Sequence, residues 1–136
     1  MQALTEVEHF SQFETNVPLW QTCLENLNNS GHAFGDHGFF VSYSSYKIPE
    51  VEKVLKRLGL HTAHTYMNIT TQNYGGLGRH NDTMDVWYWQ CHGITMWTFD
   101  HLRCILQPGD LVTIPKGVYH EVTPLTPRLG ISMGIT

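Results

Sequence analysis

Beyond residue 60 the chain changes its hydrophobic period, and that change bounds what it can fold into. Ala63, Thr65, Met67 and Ile69 alternate with His64, Tyr66 and Asn68, the period of two that lets a strand bury one face. Short β-prone runs follow: Val86 to His92, Thr95 to Phe99 after a break at Gly93, and Leu111 to Ile114 after Pro108-Gly109-Asp110. Val118 to Thr123 comes after Pro115-Lys116-Gly117, and Leu129 to Ile135 after a loop bracketed by Pro124 and Pro127. Strands this short, separated by turn residues, predict a sandwich or barrel. Ahead of them, Phe39 to Tyr43 reads as a strand and residues 1–14 as a short strand or arm. Asn16 reads as a helix cap with Pro18 in the first turn, the stripe Val17, Trp20, Leu24 and Leu27 behind it, and Asn28-Asn29-Ser30-Gly31 as the stop. Pro49 opens a second helix with the stripe Val51, Val54, Leu55 and Leu58, which Gly59 ends. Both helices are expected to pack outside the sheet through their apolar faces.

A chain of 136 residues predicts one domain, with 1–59 as a helical and strand lead-in and 60–136 as the core barrel. Cys23, Cys91 and Cys104 are odd in number and show no CxxC spacing, which favours a reduced, cytoplasmic protein. No charge-free apolar run has transmembrane length, and no signal-peptide pattern opens the chain, so no membrane role is expected. The net charge is −4 and the eight Lys and Arg are scattered; a nucleic-acid partner would call for a basic stripe. Nine His in so short a chain invite a metal reading, although His9, His32 and His37 lie in unpatterned sequence and read as surface.

The sharper signal is His80-Asn81-Asp82. On an extended strand His80 and Asp82 would project from one face, and His120 follows forty residues later on a second β-like run. Two His and one carboxylate that leave coordination positions open form the facial triad of non-haem Fe(II) oxygenases. Alone, an H-x-D triplet is weak; a surface His beside a solvated Asp is its ordinary meaning.

The surrounding residues add weight. The segment His80-Asn81-Asp82-Thr83-Met84-Asp85-Val86-Trp87-Tyr88-Trp89-Gln90-Cys91-His92-Gly93, with Trp97 four further on, resembles the JmjC-type cupin oxygenases, and within them the ribosomal-oxygenase branch. Matching positions are His80, Asp82, Asp85, Trp87, Gln90, Gly93 and Trp97. The approach Tyr74-Gly75-Gly76-Leu77-Gly78-Arg79-His80 and the downstream run from Leu106 to His120 are similar to that branch as well. The resemblance covers roughly residues 60 to 136. It implies a double-stranded β-helix, a cupin-type jelly-roll barrel, with Fe(II) held by His80, Asp82 and His120. It also implies 2-oxoglutarate as co-substrate, decarboxylated to succinate while O2 is used to hydroxylate a protein side chain or small metabolite. The dimerisation and winged-helix parts that accompany ribosomal oxygenases have no match in these residues, so a ribosomal target is not expected; a homodimer stays open.

The chain departs from the family at one position. The family carries Lys or Arg fifteen residues after the first metal His, paired with the distal carboxylate of 2-oxoglutarate; here it is Thr95. A buried carboxylate without a cation is costly. Arg128 is the candidate substitute, because Arg128, Gly130, Ser132 and Gly134 share one face of the last strand; beside Pro127 it reads equally as a solvated loop-edge residue. Tyr66 and Asn68 resemble the family's co-substrate-contacting strand face, with an outward polar edge as the other reading. Gln90, Thr95 and Ser132 complete the expected pocket. Trp87, Tyr88, Trp89 and Trp97 read as core, Cys91 and Cys104 as buried small apolar residues, His92 as a hydrogen-bonded structural His, and Lys116 and Glu121 as solvent-facing. Two alternatives stand beside the oxygenase: a metal-binding cupin acting on its substrate without 2-oxoglutarate, and a non-catalytic metal-binding cupin module.

Overall fold

The computed structural model describes residues 3–30, 34–36, 38–71 and 78–135. Among the described residues, ten strands and two α-helices run in the order β1 (Glu8–Phe10), α1 (Trp20–Ser30), β2 (Phe34–Asp36), β3 (Phe39–Ser42), α2 (Pro49–Leu58), β4 (Thr62–Asn68), β5 (Val86–His92), β6 (Thr95–Thr98), β7 (Arg103–Leu106), β8 (Leu111–Ile114), β9 (Glu121–Pro124) and β10 (Arg128–Gly134). They form a seven-stranded sheet ordered β1-β8-β5-β10-β4-β3-β2 and a three-stranded sheet ordered β7-β6-β9. Every strand pair is antiparallel. Among the described residues no ladder joins the two sheets, so the expected closed barrel is corrected to an open pair of facing sheets.

Alternation decides which residues look where. On β10, Leu129, Ile131 and Met133 enter an apolar cluster with Ala63, Met67, Trp89 and Cys91, and with Cys23, Leu27, Val51, Val54 and Leu55 from the two helices. On the same strand Arg128 and Ser132 face a cavity between the sheets. Beside that cavity, Tyr88, Val112 and Ile114 of the large sheet cluster with Trp97, Phe99 and Leu106 from the small-sheet side. The buried aromatics thus serve as core, though Tyr88 and Trp97 also border the cavity.

α2 runs from Pro49 to the expected stop, where Gly59 takes φ 72° and its N–H reaches the carbonyls of Leu55 and Lys56; only glycine adopts that left-handed turn freely. α1 starts later than the cap at Asn16 predicts. The Pro18 carbonyl instead accepts from His92 Nε2 at 2.7 Å, and Val17 N–H donates to Thr15, which holds this stretch out of the helix. His92 is thereby the structural His expected. Strands β2 and β7 were not expected, and Gly31, His32, His37 and residues 74–77 of the glycine-rich bend lie outside the described residues. His9 is exposed, as expected, and its Nε2 also lies 3.0 Å from Asp110 Oδ2, tying the N-terminal arm to the residue before β8. Cys91 is fully buried but Cys104 only in part. Lys116 and Glu121 are exposed.

Candidate metal centre and its cavity

Two chain segments meet at the candidate metal site. His80 and His120 exchange backbone hydrogen bonds of 2.9 and 2.8 Å in an isolated antiparallel bridge. Gly117 N–H donates to the Asp82 carbonyl at 2.8 Å, and Lys116 N–H to the Asp85 carboxylate at 2.9 Å. His80 and Asp82 therefore sit on a fastened loop, not on the regular strand their spacing suggests, and His120 stands one residue ahead of β9. Asp85 also accepts from Leu4 N–H at 2.9 Å.

The side chains converge. His120 Nε2 lies 3.4 Å from one Asp82 oxygen and His80 Nε2 3.8 Å from the other. The three residues offer donor atoms all within 4.8 Å of one another. Each imidazole has its Nδ1 2.9 Å from a backbone carbonyl, Gly78 for His80 and Val118 for His120. A carbonyl only accepts, so Nδ1 is the protonated nitrogen, and in the neutral ring Nε2 keeps its lone pair, the orientation in which a second partner prepares an imidazole for a metal. Burial and the neighbouring His80 depress the pKa of His120, against the opposing pull of the Val118 carbonyl and Asp82; this favours the neutral, ligating form. Donors about 2 Å from an ion stand about 3 Å apart, so small side-chain rotations would close the set. Two N donors and one carboxylate suit Fe, Mn, Ni or Zn.

The cavity beside the triad is lined by Phe39, Tyr66, Tyr88, Trp97, Arg128 and Ser132 among others. Arg128 is 5% exposed, which excludes the solvated loop-edge reading. It donates from Nε to Asn68 Oδ1 at 2.7 Å and from Nη1 to the Tyr88 hydroxyl at 2.9 Å. Among the described residues no carboxylate pairs with it. The Tyr88 hydroxyl lies over Gly130, where an added Cβ would stand 1.8 Å from that oxygen; the glycine makes room for the contact. Burial raises the pKa of Tyr88, and the Arg128 charge and hydrogen bond oppose the rise. Tyr66 is pushed up to about 12 by burial, with the Asp82 charge adding to it, so both phenols stay protonated. Tyr66 and Ser132 also border the cavity.

Three expected pocket residues are placed elsewhere. Gln90 Nε2 donates to the carbonyls of His92 and Gly93, and its Oε1 accepts from Thr95. Thr95 in turn accepts from Trp97 Nε1 at 3.1 Å. Gln90 and Thr95 thus form a closed buried network and do not border the cavity. Asn68 serves as the hydrogen-bond partner of Arg128 instead of lining the space. Tyr88 was missed as a site residue: its position on an aromatic-rich strand reads as core, and only the pairing of β5 with β10 brings it to Arg128.

No family model matches the sequence, and no curated protein matches it. Among solved structures the chain is similar to YcfD, a ribosomal oxygenase from Escherichia coli. With its complex with cobalt and 2-oxoglutarate the TM-score is 0.76 at 16% identity, over 96% of this chain and 48% of that one. With its complex with cobalt and succinic acid the TM-score is 0.62 at 22% identity, over 72% of this chain and 31% of that one. KdgF from Halomonas sp. is similar at a TM-score of 0.56 and 17% identity, over 77% of this chain and 88% of that one. At these identities the likeness is one of fold alone, and the chain spans less than half the length of the YcfD chain. No helix among the described residues is long and apolar enough to cross a membrane.

Proposed function

We propose that this chain is an Fe(II)- and 2-oxoglutarate-dependent oxygenase that hydroxylates a protein side chain or a small metabolite. The observation that carries the reading is Arg128: a buried guanidinium with no carboxylate partner among the described residues, on the wall of the same cavity as His80, Asp82 and His120. A buried cation without a counter-charge is costly, and an anionic ligand would offset that cost. In this reading Arg128 takes over on β10 the pairing that Thr95 cannot supply on β6.

His80, Asp82 and His120 would hold the metal and leave positions open toward the cavity. When bound, Fe(II) with 2-oxoglutarate and O2 supplies the oxidising power, releasing succinate and CO2. Arg128 binds the distal carboxylate of the co-substrate with charge-assisted hydrogen bonds. Asn68 and Tyr88 hold the guanidinium in place, so little order has to be gained on binding. The protonated Tyr66 and the Ser132 hydroxyl donate further hydrogen bonds to the same ligand. Phe39, Trp97 and Val122 line the space with apolar surface and exclude water. Gln90 and Thr95 act from behind, through the fixed ring of Trp97.

The test is succinate release from 2-oxoglutarate with Fe(II), ascorbate and O2. The reading expects release that disappears in Asp82→Ala and falls steeply in Arg128→Ala. Metal binding without any affinity for 2-oxoglutarate would instead favour a cupin that engages its substrate directly.

A further inference from the structure

Next to the two imidazoles, outside the cavity, lies a second cluster. Arg79 and Tyr119 each stand one residue before a candidate ligand, and neither borders the cavity. The Arg79 guanidinium lies 4.4 Å from the centre of the Tyr119 ring and donates from Nη2 to Asp100 Oδ1 at 3.0 Å. Asp100 belongs to the turn between β6 and β7. Three segments distant in sequence are tied at one point, beside the backbone bridge that joins His80 to His120.

We propose that Arg79, Tyr119 and Asp100 form a clamp that positions His80 and His120 for the metal. This rests on the metal reading of His80, Asp82 and His120. Backbone hydrogen bonds with Gly117 and His120 pin the main chain at Asp82 and His80, but their side chains are 37% and 27% exposed, and partly exposed contacts open more readily than those of a buried sheet. An exposed ion pair alone contributes little. A guanidinium stacked on a ring adds a contact that is less dependent on salt, and here it joins the residue before one ligand to the residue before the other. The clamp acts through backbone geometry: it limits how far the two imidazoles can part, and so how much order must be gained when the donors close on an ion. Arg79, Tyr119 and Asp100 are positioning residues and touch neither metal nor substrate.

Cobalt(II) titration of the full chain, followed by visible absorption, tests this without any turnover. Wild-type binding, lost in Asp82→Ala, tests the triad by itself; absence of a cobalt spectrum in the wild type would overturn triad and clamp together. With the triad standing, Arg79→Ala and Tyr119→Ala are each expected to weaken cobalt binding roughly three- to tenfold and to alter the shape of the visible bands. Their double variant should lose less than the product of the two, because they act as one unit. Tyr119→Phe keeps the ring and should stay within about twofold of wild type. Asp100→Asn, on an exposed turn, should weaken binding about twofold at low salt and less at high salt. Melting temperatures of the metal-free variants should stay close to wild type, separating a positioning role from general loosening. Wild-type cobalt affinity in both alanine variants, a fully multiplicative loss in the double variant, or an equal loss in Tyr119→Phe would overturn the clamp and leave the triad intact.

Discussion

The metal end of the cavity and the Arg128 end are held by different means. At the metal end, a half-exposed loop is fastened to the start of β9 by backbone hydrogen bonds, and the side chains lean on the carbonyls of Gly78 and Val118. At the other end, Arg128 starts β10 inside a seven-stranded sheet, between β4 and β5, and its partners Asn68 and Tyr88 come from those two strands. Changes at the metal end should therefore cost ligand binding and little else. Changes at the Arg128 end should register in both binding and stability, because the groups that hold the guanidinium are also part of the sheet.

The largest effect expected is at the metal end. Asp82→Ala should lower cobalt affinity by more than about 100-fold while moving stability by no more than about 1 kcal/mol, since its side chain is 37% exposed. A large loss of stability in urea titration would break the comparison. Next comes Arg128→Ala, which should weaken 2-oxoglutarate binding roughly ten- to 100-fold with cobalt affinity almost unchanged, as read by calorimetry on the cobalt-loaded protein. Equal loss of both would mean that the two ends are not separable.

Gly130→Ala sharpens the contrast, because it touches no ligand. Its Cβ would meet the Tyr88 hydroxyl, so Tyr88 must shift away from Arg128. A destabilisation of about 1–3 kcal/mol is expected, together with weaker 2-oxoglutarate binding; cobalt affinity should hold. The smallest effect lies away from the cavity. Burial would raise the pKa of Asp110, but the N–H groups of Gln12 and Gln107 and the His9 ring outweigh it and hold that pKa below the usual carboxylate value. A depressed carboxylate pKa stabilises the fold above the unfolded value near 3.9 and loses that contribution as pH falls through the folded value. Asp110→Asn should thus cost about 1–2 kcal/mol at neutral pH. The difference from wild type should vanish as the pH falls below the lowered pKa, with neither cavity ligand affected.

The same contrast explains what could be read from the sequence. α2 is legible because Pro49, an apolar stripe and Gly59 are local signals, and β5, β8 and β10 because alternation and turn residues are local as well. The convergence of His80, Asp82 and His120 is legible for the same reason: His80-x-Asp82 is three residues long, and its resemblance adds His120. The strand setting of that triplet was not, because a loop pinned by Gly117 and Lys116 leaves no mark in its own residues. Arg128 could be proposed from its face of β10, but its burial depended on pairing with β4 and β5. Gln90 and Thr95 went astray for a related reason. Both lie between the sheets, yet their polar groups satisfy one another and Trp97, which no spacing announces. His9 reaches Asp110 across 101 positions, beyond any local pattern, and the late start of α1 goes with a contact between Pro18 and His92 across 74 positions.

A crystal structure of the cobalt-loaded protein grown with 2-oxoglutarate addresses the central claim most directly. The account predicts cobalt within bonding distance of His80 Nε2, His120 Nε2 and an Asp82 oxygen, and one dicarboxylate reaching from that ion to the Arg128 guanidinium. A metal bound elsewhere, or a cavity in which Arg128 meets no anion while cobalt is in place, would contradict it.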